Sequence, residues 1–281
     1  MEVNIFYGGF RSKAGGAFNH ASSIEKEFLE IGWKVTIVTL DSLPVWCRYL
    51  PHLVQRSINY IRLPFGFLFK AYITKSLYEF FFNNNVDLRI FEDIYIAWDS
   101  NIPSVTVLHA VWSDNFQAYS IKESQLKKFK TSETSLINKL LQPVITVSQP
   151  YLNYLLHDHF LGDISKDINV IELGIDQAEF IKYKRSVKNN KKIIYTGALE
   201  ARKNLFFLLE VMNELIKADS TYSLTLVGDG PDRFLLEKYV KKNDLPVSFL
   251  GKLKHAQVVS ELFNHSIYVH TSVKVFFFFI A

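Results

Sequence analysis

Four short stretches of this sequence set chemically useful side chains beside glycine-rich turns. In TGALEARKN, residues 196–204, the cations Arg202 and Lys203 stand just before an apolar helical pattern that begins at Leu205, with Asn204 the expected N-cap. A helix start carries unpaired N–H groups and the positive end of the helix dipole. Two cations are poorly placed there unless an anion visits, and a diphosphate would satisfy the backbone donors and both side chains; a solvated surface pair is the alternative. Gly15-Gly16 lies in another strand-to-helix turn. Glycine there lets the backbone approach a ligand, and the helix end offers N–H groups to an anion; a plain turn is the alternative. The spacing is not G-x-G-x-x-G, which disfavours dinucleotide binding. In LVGDGP, residues 226–231, Gly228 supplies a turn and Pro231 suits a first helical position.

His109 ends the run VTVLH. A histidine at the carboxyl end of a parallel strand points into the cleft of an open sheet, where it can bond a hydroxyl or carbonyl; a structural histidine is the alternative. His157 and His159 flank Asp158. Their alternation near a helix end, without further ligands, reads as a solvated face, so no metal site is expected. No Ser-His-Asp or Cys-His arrangement is apparent.

The elements that must hold these residues alternate regularly. Strand patterns at residues 3–7, 34–40, 88–91, 105–109, 144–147 and 169–173 are separated by helical ones. The first helix carries Phe18, Ala21, Ile24, Phe28 and Ile31 at three- and four-residue steps and stops at Gly32. After a basic, polar stretch at 177–190 the pattern restarts, with strands at 193–196, 223–227, 247–250 and 267–270 and helices at 205–218, 231–242 and 256–264. This predicts an α/β fold of two Rossmann-like domains, residues 1–176 and 191–281, joined by a linker over 177–190.

The 281-residue length suits two domains. Apolar residues at 48% and charged residues at 21% make a globular composition. A net charge of only +4 argues against a dedicated nucleic-acid binder and suits phosphorylated ligands or an anionic membrane surface. The single cysteine, Cys47, fits a reducing compartment. No signal peptide and no membrane-spanning run is read, so a cytoplasmic location is expected. Residues 46–82 combine Arg48, Arg56, Arg62, Lys70 and Lys75 with many aromatics. That mixture suits the edge of an anionic bilayer, or a buried helix with snorkelling cations.

Taken in order, these segments resemble the retaining glycosyltransferases of family 4, a group 1 family with the GT-B fold. The resemblance runs from Gly15-Gly16 and KVTIVT through VLHAVW, VITVSQPYLNYL and INVIELGIDQAEF to TGALEARKN, LVGDGP and FLGKLKHAQVVSELFNHSIYVHTSV. In INVIELGIDQAEF it falls on Gly174, Ile175, Asp176 and Phe180. It implies a nucleotide-sugar donor held mostly by the second domain and a saccharide or lipid-linked acceptor on the first. Arg202 and Lys203 would neutralise the donor diphosphate, Gly15-Gly16 would close over it, Gly197 and Gly228 would line the nucleotide cleft, and His109 would contact the transferred sugar as the catalytic-site residue. It implies no cofactor, metal or nucleic-acid partner.

In one respect the sequence departs from the family. Two glutamates follow a YVHTS-like segment in relatives, whereas this chain continues as VKVFFFFIA. The expectation is therefore a second domain that is incomplete, or truncated, and impaired transfer. A non-catalytic nucleotide- or acceptor-binding remnant and a membrane-surface module are the competing functions, and peripheral contact with the inner face of a membrane is expected under the last.

Overall fold

The computed structural model describes residues 1–13, 15–60, 65–116, 122–159, 164–172, 174, 181 and 191–272. The expected linker apart from Ile181, the matches at Ile175, Asp176 and Phe180, the cation Arg62 and the phenylalanine run 276–279 lie outside the described residues. Contacts divide the chain into two units, Met1–Leu173 and Gly174–Ala281.

The first unit is built on strands β1 (Glu2–Phe6), β2 (Lys34–Val38), β3 (Leu88–Phe91), β4 (Ser104–Leu108), β5 (Val144–Thr146) and β6 (Ile168–Val170). They form one sheet in the order β2-β1-β3-β4-β5-β6, and every pairing is parallel. The apolar runs bury because helices cover a parallel sheet: Val3, Ile5 and Phe6 of β1, Ile90 and Phe91 of β3 and Val107 and Leu108 of β4 are all in the core. Helix α1 (Gly16–Glu30) connects β1 to β2. It stops as expected at Gly32, whose φ of +83° suits a residue without Cβ. Trp33 N–H donates to the Phe28 carbonyl at 2.9 Å and Gly32 N–H to that of Leu29 at 3.0 Å, while the Phe28 and Trp33 rings touch. This is the hydrogen-bond pattern of a Schellman stop with its apolar clasp.

Helices α2 (Leu50–Tyr60) and α3 (Gly66–Phe82) lie between β2 and β3 and pack on one another. Tyr78 of α3 is fully buried and donates to the Tyr7 carbonyl at 2.8 Å, fixing the chain just past β1. After β4 come α4 (Trp112–Phe116) and α5 (Glu123–Lys139), and after β5 comes α6 (Gln149–Tyr154), continued by a π-helical turn at Leu155–His159. His157, in that turn, is exposed.

The second unit contains β7 (Lys192–Thr196), α7 (Leu205–Ala218), β8 (Ser223–Val227), α8 (Arg233–Lys242), β9 (Val247–Gly251), α9 (His255–Asn264) and β10 (Ile267–Tyr268). The sheet order is β10-β7-β8-β9, again parallel throughout. Its core joins Ile193, Tyr195, Leu224 and Leu226 of the sheet to Leu205, Leu208, Leu209 and Met212 of α7 and Leu236 of α8. Pro231 is not at the first position of α8, which begins at Arg233; it lies in the turn before it.

Candidate functional site

An open parallel sheet binds ligands at the carboxyl ends of its strands, where the strand order reverses direction. In the first unit the reversal falls between β1 and β3, with β2 on one side of β1 and the later strands on the other. The residues that leave these strands define the place.

Gly15 is the N-cap of α1 and Gly16 its first residue. Gly15 has φ of −129°, and an added Cβ would meet nothing within 4 Å among the described residues. Neither backbone strain nor local packing demands glycine there. His20 follows one turn later on α1. Glu92 follows β3, and its N–H extends the sheet by donating to the Phe6 carbonyl at 3.0 Å. His109 follows β4, as the sequence pattern predicts.

These three side chains converge. His109 Nε2 lies 2.6 Å and His20 Nδ1 2.8 Å from the same Glu92 oxygen, Oε2. The imidazoles meet edge to face, with centroids 4.9 Å apart and planes at 77°. The Glu92 side chain is fully buried, while those of His20 and His109 are 11% and 12% exposed. Burial pushes the Glu92 carboxyl up, but the hydrogen bonds from His109 and His20 outweigh it and hold the group below its ordinary range. Among the described residues this is the one group of three metal-ligating side chains whose ligand atoms all lie within 4.8 Å of one another. The sequence reading missed His20 and Glu92, although the strand-end rule applied to His109 also applies to Glu92.

Buried hydroxyls and a carboxylate position the segment that follows His109. Val111 N–H donates to the Tyr151 hydroxyl at 2.7 Å, Trp112 N–H to that of Tyr95 at 3.2 Å, and Ser113 N–H to Glu133 at 3.0 Å. The first-turn N–H groups of α4 are thereby satisfied from α5, α6 and the loop after β3. Next to Glu92, the Asp93 carboxyl is pushed up to about 6 by burial, against the pull of hydrogen bonds from the Tyr95 N–H and the Trp112 side chain.

In the second unit the strand order reverses between β7 and β10. Gly197 and Gly228, which leave β7 and β8, have φ of +148° and +136°. A Cβ on Gly228 would lie 1.9 Å from the Gly197 carbonyl oxygen, so the approach of these two loops itself requires glycine. Gly197 N–H donates to the Val227 carbonyl and Leu199 N–H to that of Asp229, at 2.9 and 3.0 Å.

Arg202 and Lys203 occupy a 3₁₀ turn, Ala201–Lys203, directly before α7. Asn204 is the N-cap of α7 but makes no side-chain capping bond. Its φ of 52° and ψ of 43° are left-handed, a conformation asparagine tolerates well, so Asn204 serves the chain reversal. Arg202 Nε donates to Glu200 at 2.6 Å. Burial and then the neighbouring Arg202 lower the Lys203 pKa. His270, just past β10, is lowered by burial and then by Lys203 and Arg202. The Thr271 hydroxyl donates to the Lys203 carbonyl at 2.8 Å, tying this turn to the chain after β10. Arg202 and Lys203 therefore form a cationic pair at the reversal, with His270, which the sequence reading did not assign, held beside them toward its neutral form.

Residues 176–274 match the family model of glycosyl transferases group 1. No curated protein matches the sequence. Among solved structures, the chain is similar to sucrose-phosphate synthase from Thermosynechococcus elongatus, with a TM-score of 0.71 and 14% identity over 100% of this chain and 78% of that one. It is similar to WaaG, a glycosyltransferase involved in lipopolysaccharide biosynthesis, with a TM-score of 0.64 and 9% identity over 98% of this chain and 75% of that one. It is also similar to HepE of Anabaena in complex with UDP and glucose, with a TM-score of 0.59 and 16% identity, again over 98% and 75%. Over residues 176–274 the chain thus matches the model of glycosyl transferases group 1, and its α/β fold is that of the GT-B glycosyltransferases it resembles.

Proposed function

We propose that this chain transfers a sugar, with retention, from a nucleotide-diphospho-sugar to a saccharide or lipid-linked acceptor. The observation that carries the reading is the group of Arg202, Lys203 and His270 at the strand reversal of the second unit, inside the segment that matches the family. Burial and Arg202 disfavour the charge on Lys203, and both cations disfavour a charge on His270, so a diphosphate bound here offsets the crowding of the two cations. The leaving diphosphate gains negative charge as the glycosidic bond breaks, so fixed cations favour the transition state over the bound donor. Gly15-Gly16 leaves the start of α1 without a Cβ in the way, the Gly15 N–H being held by the Tyr7 hydroxyl and that of Gly16 remaining to be offered, and His109 bonds the transferred sugar.

Calorimetry with UDP and GDP tests the anion site. Replacing both Arg202 and Lys203 by alanine should weaken binding by roughly 2–5 kcal/mol, the worth of two charge-assisted hydrogen bonds. Unchanged affinity, or no binding by the parent chain, sinks the assignment. A transfer assay with a panel of UDP- and GDP-sugars then tests the reaction itself.

A lipid-linked acceptor draws support from the face of α2, α3 and the turn before them. Trp46, Tyr60, Tyr72 and Phe80 are 79%, 89%, 64% and 80% exposed, and the cation Arg56 of α2 is exposed as well, while Arg48, Lys70 and Lys75 are half-buried. No helix of the described residues is long and apolar enough to cross a membrane. Interfacial aromatics with cations suit the surface of an anionic bilayer. Co-sedimentation with vesicles containing phosphatidylglycerol should exceed that with neutral vesicles and fall at high salt. Equal recovery with both vesicle types overturns the membrane reading.

A further inference from the structure

The trio at the first unit's strand reversal has a chemistry of its own. A carboxylate only accepts hydrogen bonds, and both imidazole nitrogens reach the same oxygen, so both must donate. His20 is therefore protonated on Nδ1 and His109 on Nε2. The other Glu92 oxygen, Oε1, is buried and has no hydrogen-bond partner among the described residues. The two histidines thus supply the hydrogen bonds that hold a fully buried carboxylate, and the carboxylate in turn fixes both rings.

A shared metal is the other arrangement open to this donor set. Ligand atoms about 2.0–2.1 Å from a tetrahedral zinc stand roughly 3.3 Å apart. The separations of 2.6 and 2.8 Å are hydrogen-bond distances, too close for an ion between the atoms.

We propose that Glu92, braced by His20, is a positioning residue that locks the His109 imidazole as its Nε2–H tautomer and so presents the Nδ1 lone pair to a hydroxyl of the transferred sugar. The proposal rests on the reading that His109 meets the sugar. Without Glu92 the ring gains a second orientation and tautomer, and the acceptor that the sugar hydroxyl requires is lost for part of the time. The chain order serves this arrangement. β1, β3 and β4 are adjacent strands, so the helix after β1 and the residues after β3 and β4 reach one point from three directions. The Glu92 backbone is held by the sheet ladder through its N–H, and its side chain is fully buried, which together leave the carboxylate little freedom to follow a moving ring.

The test uses the full chain with ¹⁵N-labelled histidine and long-range ¹H–¹⁵N spectra at mildly alkaline pH. The expected result is a single Nε2–H tautomer for His109, lost or mixed in Glu92→Ala and restored in Glu92→Gln, whose carbonyl still accepts. In the transfer assay, Glu92→Ala should lower kcat about 10- to 100-fold, the loss of one hydrogen bond to a charged group, with donor KM within about twofold; Glu92→Gln should recover part of it. A His109 found as the Nδ1–H tautomer overturns the proposal, as does a tautomer indifferent to Glu92→Ala. So does a stoichiometric divalent metal in the purified chain, measured by elemental analysis. Where Glu92→Ala fails to fold, the wild-type and Glu92→Gln spectra decide. Absence of transfer by the wild-type chain counts against the proposed reaction and leaves the tautomer result standing, so the two failures are distinct.

Discussion

A largely desolvated carboxyl that must ionise at neutral pH costs stability, and that of the half-buried Asp93 is such a group. Its pKa in the folded chain is about 6, raised first by burial, whereas an unfolded aspartate titrates near 3.9. The folded state therefore holds the proton more tightly than the unfolded one. The stability this contributes is complete below the unfolded value and is lost as pH rises through about 6. The Asp93→Asn substitution keeps an acceptor for the Tyr95 N–H, now 3.0 Å from Oδ1, and removes the charge. Thermal melts should show the Asp93→Asn variant more stable than the parent at about pH 7.5, with the difference shrinking toward about pH 4.5. A variant less stable at the higher pH would mean that the ionised carboxylate holds more partners than its burial costs. Glu92, the preceding residue, responds in the opposite direction because two imidazoles donate to it. Adjacent carboxyls are thus set apart by their partners.

Among the elements, the short helix α4 depends most on its neighbours. A helix of this length has too few internal hydrogen bonds to persist alone. Glu133 of α5 is buried and accepts from the Ser113 N–H, the Ser113 hydroxyl and the Tyr95 hydroxyl. Replacing it by alanine strands three buried donors and should cost about 3 kcal/mol or more. Glu133→Gln, which keeps an accepting oxygen, should cost less. Urea unfolding followed by far-UV circular dichroism measures both, and equal midpoints for Glu133→Ala and the parent would show that the network adds nothing net. The segment that this network fixes begins two residues after His109, so Glu133→Ala should also broaden the His109 imidazole signals.

For the molecule as a whole, ligand binding and stability are one equilibrium. A nucleoside diphosphate that binds only the folded chain adds about 2.7 kcal/mol at a hundred times its Kd. Differential scanning calorimetry should show UDP or GDP raising Tm by several degrees, and the Arg202→Ala, Lys203→Ala double variant should lose most of that shift. An equal shift in the double variant would place the anion elsewhere. The chain spans about three quarters of the length of WaaG and HepE, and 78% of that of sucrose-phosphate synthase.

Whatever depends on local pattern was legible in the chain alone. Apolar runs of strand length alternating with helical periodicity located β3, α7 and β8 to the residue, because burial on both faces of a parallel sheet leaves an uninterrupted apolar run. Gly32 marked the end of α1 because only a residue without Cβ takes its φ cheaply. Arg202, Lys203 and His109 stood out because each follows a strand closely in the chain. Tertiary structure settled whatever depends on neighbours remote in sequence. Glu92 is 72 residues from His20 and 17 from His109, and only the order β1-β3-β4 makes them partners. His270 joins Lys203 only because β10 pairs with β7. Asn204 was legible as the N-cap of α7 but not as left-handed, since that follows from the turn's path between β7 and α7. Gly228 read as a turn, yet the reason for glycine there is the Gly197 carbonyl 1.9 Å from any Cβ, a contact that no local pattern encodes.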